Sequence, residues 1–257
     1  MRFSVLASGS GGNACYIETS KSRILVDAGL SCRELVGRLN LIGVKAEEID
    51  AIIITHEHSD HIKGAGPISR RFDIPVFINV PTMNRCGRAL GNISKPIPLY
   101  TGQTVHINGL EVQTFTKFHD AVDPMGLIIS SGDSKLGIVT DLGRSSPLME
   151  DLLKDCTAVI LEFNHDNDML TQGPYPPRLK RRIEGPEGHL SNKQACELLK
   201  MISHDELNWV VIAHISKINN APEKAFLEAK ETLLAQGMNN TKVLISYQDY
   251  PMDMMEV

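Results

Sequence analysis

The chain has 257 residues, 42% of them hydrophobic, and a formal net charge of -5 from 26 basic and 31 acidic side chains. That apolar content is enough for one sizeable core and excludes a disordered chain. The acid excess excludes global attraction to a polyanion, so a nucleic acid would have to be held by metals and a local basic patch. Five cysteines, Cys15, Cys32, Cys86, Cys156 and Cys196, are odd in number and show no C-x-x-C spacing, which fits a reducing cytoplasm. The first apolar run gives way to Ser8 and Gly9, too early for a secretion signal, and no stretch is long enough to span a membrane. A soluble cytoplasmic protein is expected.

Short apolar and β-branched runs at 3–6, 14–18 and 23–26, separated by Gly and Ser turns, predict a meander of strands. The glycine-rich link Ser8-Gly9-Ser10-Gly11-Gly12-Asn13 is predicted as a tight turn needing positive φ, since no helix follows it as in a phosphate-binding loop. Helices are predicted over 33–42, 46–49 and 64–71, a strand over 75–79, and a helix over 81–90 with proline in its first turn. Strands follow at 110–116, 126–130 and 136–140. In the second half, helices at 146–156, 191–203 and 222–236 alternate with strands at 158–161 and 210–213. The proline-rich residues 173–177 and the basic run Arg178 to Arg182 read as an inserted loop rather than a domain boundary. Residues 1–257 are thus expected to form a single domain.

The densest chemistry follows the apolar run Ala51-Ile52-Ile53-Ile54-Thr55. There, His56-Glu57-His58-Ser59-Asp60-His61 packs three imidazoles and two carboxylates into six positions. A borderline cation such as zinc takes nitrogen and carboxylate oxygen, and a loop at a strand end can aim neighbouring side chains at two adjacent centres. Four more candidate ligands stand where predicted strands end: Asp27, His119, Asp141 and His214. One such residue is more often a satisfied structural group, but four in order around a His-x-His-x-Asp-His string point to a metal pair.

This order of residues resembles the metallo-β-lactamase superfamily of dinuclear hydrolases, over nearly the whole chain. The resemblance implies an α/β fold, an αββα sandwich of two mixed sheets flanked by helices, with the metals at one edge. It implies His56, His58 and His119 on a first ion, Asp60, His61 and His214 on a second, and Asp141 bridging both. The cofactors would be two divalent ions, zinc or manganese, with iron also compatible. A water bridging two dications is acidified enough to supply hydroxide near neutral pH, and that hydroxide is the expected nucleophile, oriented by Asp60. Asp27 is expected to hold the remaining N–H of a ligand histidine.

The superfamily spans thioesters, lactams, lactones and phosphodiesters, so substrate class must come from residues outside the shared core. The ligand set has no cysteine at a matching position, which departs from many true β-lactamases. Glu162, after a strand, and His189, before a helix, are similar in placement to a Glu and His pair of the tRNA 3′-processing nucleases and their phosphodiesterase relatives. The implied chemistry is an imidazolium, supported by a carboxylate, that protonates the leaving oxygen or contacts phosphate.

The strings Glu162-x-Asn164-His165-Asp166 and Gly188-His189-x-Ser191-Asn192, with the glycine-rich opening, most closely resemble the YycJ/WalJ-like bacterial branch. That branch is associated with DNA exonuclease activity from 5′ ends. Phe163 departs from the small residue expected there. His165, Ser191 and Asn192, near a helix N-terminus, and the basic Arg181 and Arg182 are candidate substrate contacts. The expected function is a dinuclear metal-dependent phosphodiesterase or exonuclease on nucleic acid, DNA ahead of RNA, monomeric or dimeric, with no membrane partner. The rival is a small-molecule thioester or lactone hydrolase of the same fold.

Overall fold

The computed structural model describes residues 1–257. Its elements run β1 (Arg2–Ala7), β2 (Ala14–Glu18), β3 (Arg23–Val26), α1 (Cys32–Leu41), β4 (Ala51–Ile53), α2 (Ser59–Ile62), α3 (Ala65–Phe72), β5 (Pro75–Ile78), α4 (Val80–Cys86) and β6 (Lys95–Pro98). They continue with β7 (Thr104–Ile107), β8 (Leu110–Thr116), β9 (Met125–Ser131), β10 (Ser134–Val139), α5 (Pro147–Leu153), β11 (Ala158–Glu162), α6 (Asn167–Gln172) and α7 (Pro177–Glu184). The last are α8 (Asn192–Ile202), β12 (Trp209–Ala213), α9 (Pro222–Ala235), β13 (Lys242–Ile245) and β14 (Met255–Glu256).

Two seven-stranded sheets form, in the orders β14-β1-β2-β3-β4-β5-β6 and β13-β12-β11-β10-β9-β8-β7. Each is half antiparallel and half parallel. The β1–β3 meander gives way to parallel pairing from β3 to β6. The β7–β10 meander likewise gives way to parallel pairing from β10 to β13. Parallel neighbours bring their carboxyl ends to one edge, where open sheets collect ligands.

The two-residue period of the strands sorts side chains into layers. Along β4, Ala51 and Ile53 join the layer between the sheets, while Ile52 and Ile54 pack outward against Leu35 and Leu39 of α1 and Ile68 of α3. Along β11, Ala158 and Ile160 face inward, and Val159 and Leu161 pack outward with Leu153 of α5 and Leu198 and Leu199 of α8. Both faces of these strands are covered, which is why they read as unbroken apolar runs. The result is the four-layer αββα sandwich. No helix is long and apolar enough to cross a membrane.

Differences from the sequence reading are local. The four strands that its patterns do not reveal, β6, β7, β13 and β14, are the four edges of the two sheets. Edge strands bury less and so carry a weaker apolar signal, and β6 tolerates Pro96 and Pro98 because an edge has N–H positions to spare. Residues 46–48 close as a single 3-10 turn, and the helix expected over 81–90 breaks at Gly87, whose φ is 48°. Residues 173–182, expected as an inserted loop, instead lead into α7: Pro177 sits in the first turn, where its missing N–H costs nothing, and good helix formers follow. No residue of α7 is buried.

Candidate metal centre

Three of the strand ends carry the same backbone device. Asp27 follows β3, Asp141 stands two residues past β10 and His214 follows β12, with φ of 59°, 55° and 54°. A left-handed conformation costs a non-glycine residue about 1–3 kcal/mol, and such strain clusters at functional sites. Here it turns each side chain out of its strand toward the common edge.

The hexapeptide meets these residues there. His56, His58 and His119 each offer a donor atom within 4.8 Å of the others, and His58 Nδ1 lies 3.1 Å from His119 Nε2. Beside them, His61 Nε2 is 3.6 Å from Asp60 Oδ2 and 3.1 Å from Asp141 Oδ2. His214 Nε2 is 3.8 Å from Asp60 Oδ2 and 3.5 Å from Asp141 Oδ1. The same Asp141 Oδ1 is 3.9 Å from His119 Nε2, so one carboxylate stands between two sets of donors.

These atoms fit a pair of divalent cations. His56 Nε2, Asp141 Oδ2 and His214 Nε2 are buried without a hydrogen-bond partner, and an unsatisfied buried polar group costs about 1–3 kcal/mol. Cations are partners for such lone pairs, with His56 grouped beside His61 and Asp141, and His214 grouped beside Asp141. Burial, with the nearby His61, drives His56 well below the usual imidazole pKa, so its ring stays neutral, the form that binds metal. Nitrogen and carboxylate donors without thiolate suit zinc or manganese.

The family model of the metallo-beta-lactamase superfamily matches residues 7–179. The chain belongs to that superfamily. It is similar to the exodeoxyribonuclease YycJ of Bacillus anthracis, 36% identical over 239 residues that cover 92% of this chain and 90% of that protein. It is likewise 36% identical to the exodeoxyribonuclease WalJ of Streptococcus pneumoniae over 230 residues, 88% of this chain and 86% of the relative. Among solved structures, the metallo-beta-lactamase fold protein YhfI from Bacillus subtilis superposes with a TM-score of 0.75, covering 98% of each chain at 16% identity. That likeness concerns the fold. A superfamily member with this His/Asp cluster is a divalent-metal protein.

Around the donors, this superfamily member builds a supporting layer. Asp27 Oδ2 is 2.7 Å from His61 Nδ1, and the same carboxylate accepts from the backbone N–H and hydroxyl of Thr55, each at 2.8 Å. That fixes the His61 tautomer with Nε2 toward Asp141. Asp27→Asn is expected to weaken metal binding about 10- to 100-fold, read by competition with a chelator. Glu162 does the same for His214, with Oε1 at 2.7 Å from its Nδ1, and shares that oxygen with His189 Nδ1 at 2.8 Å. Its other oxygen accepts from the backbone N–H of Leu142 at 2.7 Å and of Leu190 at 3.3 Å. Burial pushes the Glu162 carboxyl up, but the His189 and His214 imidazoles hold it below the usual range, so it stays ionised. His119 Nδ1 lies 3.2 Å from the Gly188 carbonyl.

Three contributors escape a reading of the sequence. Asn13 Nδ2 is 3.0 Å from His61 Nε2 and donates to Asp60 Oδ2 at 3.2 Å. Ser8 Oγ accepts from the His214 backbone N–H at 2.7 Å. Both lie in the glycine-rich link, whose Gly9 and Gly12 do have positive φ, 138° and 154°, so the turn and the site share one segment. The third is Asp120, whose Oδ1 is 3.7 Å from His58 Nε2 and 3.6 Å from His119 Nε2. Its adjacency to His119 is the only cue in the sequence. Close approach also explains Gly29, where a Cβ would sit 1.6 Å from the Asp60 carbonyl oxygen.

Among the residues expected to touch substrate, Arg182 lines the metal pocket and pairs with Asp120, whereas Arg181 is exposed elsewhere on α7. His165, Ser191 and Asn192 are set behind the site, each 1% exposed. Ser191 forms a capping box with Gln194 at the start of α8, and Asn192 accepts from Asn220 Nδ2 at 2.7 Å. The His165 carbonyl accepts from the Asn192 N–H at 2.8 Å, and its Nδ1 has no partner. Ser191 and Asn192 are thus engaged in capping and packing α8, and all three side chains are buried.

Proposed function

We propose that this chain is a metal-dependent exodeoxyribonuclease that hydrolyses DNA phosphodiesters from 5′ ends. The observation that carries the reading is the single Glu162 oxygen bonded to both His214 and His189. His214 is a ligand candidate. His189 is a further imidazole on the rim of the same pocket, its ring centroid 5.1 Å from that of His214 and its side chain 22% exposed. An alkoxide leaving phosphorus needs a proton, whereas a thiolate leaving a thioester does not, so a mounted general acid favours phosphodiesters. The two exodeoxyribonuclease relatives support the same substrate.

His56, His58 and His119 would hold one divalent ion, Asp60, His61 and His214 the other, and Asp141 both. Bound ions of this kind supply Lewis acidity, which acidifies water and neutralises charge on phosphoryl oxygens. Asp60 orients the attacking water by accepting its hydrogen bond. His189 carries a proton to the leaving sugar oxygen, while Glu162, bonded to its Nδ1, fixes its tautomer and orientation. Arg182 meets phosphate as a charge-assisted donor.

Purified protein with manganese or zinc, given end-labelled DNA and an acyl thioester, is the test. Progressive loss of nucleotides from the 5′ end with the thioester left intact is expected. Turnover of the thioester with the DNA untouched would overturn the proposal.

A further inference from the structure

We infer that the cleft between the metal pocket and α7 is a subsite for one nucleoside, the one on the leaving side, so that the products are mononucleotides. This rests on the phosphodiesterase reading above, which puts the leaving oxygen at His189. Ser10, Arg182 and His189 line both the metal pocket and the neighbouring cleft, whose volume is about 170 Å³. Pockets for drug-sized ligands begin at about 300 Å³, so this smaller cleft is on the scale of one nucleoside rather than two.

The lining matches a nucleoside. One wall is aromatic and aliphatic: Tyr175, just before α7, with Leu179 and Ile183, which are four residues apart and share a helix face. Asn164 and Ser216 add polar residues to the lining. A base presents a flat π-face to stack and polar edges to bond, the two kinds of surface these walls supply. At the junction with the metals, Arg182 is 61% exposed and paired with Asp120. An exposed ion pair is weak, so an incoming phosphate can draw the guanidinium away at small cost.

The wall is also tied to the chemistry. The Ile183 carbonyl accepts from the His189 N–H at 2.8 Å. Gly188, between them, leaves no space for a side chain, since a Cβ would lie 2.2 Å from the Ile183 oxygen and 2.3 Å from that of Arg182. The last turn of α7 therefore sets the distance between cleft wall and His189. In the reaction, water oxygen bonds to phosphorus and the P–O bond to the sugar oxygen breaks with its electron pair on that oxygen. The proton from His189 caps it, and one water proton passes to solvent, from which His189 takes up a proton again. One water is consumed, leaving a nucleoside hydroxyl in the cleft and a phosphomonoester on the shortened strand.

The experiment sizes the first products from a 5′-labelled, 5′-phosphorylated oligonucleotide and measures deoxyadenosine monophosphate binding to the metal-loaded protein. Mononucleotide is expected from the earliest time points. Tyr175→Ala should weaken deoxyadenosine monophosphate about tenfold and raise KM on DNA with unchanged metal content, while Tyr175→Phe, which keeps the ring, should stay within about twofold. First products of two or more nucleotides, or equal affinity in Tyr175→Ala, would overturn the subsite and leave the nuclease reading standing. A wild-type protein that cuts no DNA would overturn both.

Discussion

Asp141→Ala should strip the protein of its metal ions and lower DNA hydrolysis by about 10³-fold or more, the scale on which loss of a central electrostatic group is felt. Each oxygen of this carboxylate faces imidazole nitrogens: Oδ2 lies 3.1 Å from His61 Nε2, and Oδ1 lies 3.5 Å from His214 and 3.9 Å from His119. No other anion in the site reaches both donor sets. Without it the mutual repulsion of two dications goes uncompensated in a pocket that screens charge poorly. Burial pushes the Asp141 carboxyl up, but the His214 and His61 imidazoles hold it well below the usual range. The native side chain is thus already ionised, the form that a metal ligand needs. Metal content per chain, measured alongside rate, checks the expectation, and Asp141→Asn separates charge from shape. An Asp141→Ala protein that keeps two ions would refute the bridging assignment.

His189→Ala should behave differently, keeping both ions and losing about 10²- to 10⁴-fold in DNA hydrolysis, the usual worth of a positioned general acid. The structure supplies the reason for the split. His189 Nδ1 is bonded to Glu162 at 2.8 Å, but Glu162 also holds His214 at 2.7 Å, so His214 stays anchored when the His189 ring is gone. A leaving group that needs no proton distinguishes acid catalysis from mere support. With a bis-nitrophenyl phosphate, whose nitrophenolate departs unaided, the loss should be within about tenfold. Equal losses on both substrates would assign His189 to positioning instead.

How much of this can be read from residues alone depends on how strongly burial stamps the sequence. Interior strands such as β4 and β11 are covered on both faces and announce themselves as apolar runs, and the residues at their ends inherit that clarity. That is why Asp27, Asp141, Glu162 and His214 can be located before any coordinates are known. The edges β6, β7, β13 and β14 bury too little to leave the same mark. The same is true of α7, which buries no residue fully and opens in a proline-rich stretch, yet walls the cleft beside the metals. Asn13, Ser8 and Asp120 elude pattern reading for another reason: their roles come from long-range convergence, such as Ser8 meeting His214 across the two sheets, which no local spacing encodes. Ser191 and Asn192 err in the opposite direction. Polar residues at a helix start suit an anion, but here capping and an amide pair with Asn220 already engage them.

The proposed chemistry needs two cations held by one carboxylate between two sets of imidazoles. Anomalous diffraction from crystals grown with zinc or manganese measures that directly. Two peaks are predicted, one against His56, His58 and His119, the other against Asp60, His61 and His214, with Asp141 between them. A single peak, or peaks away from Asp141, would contradict it.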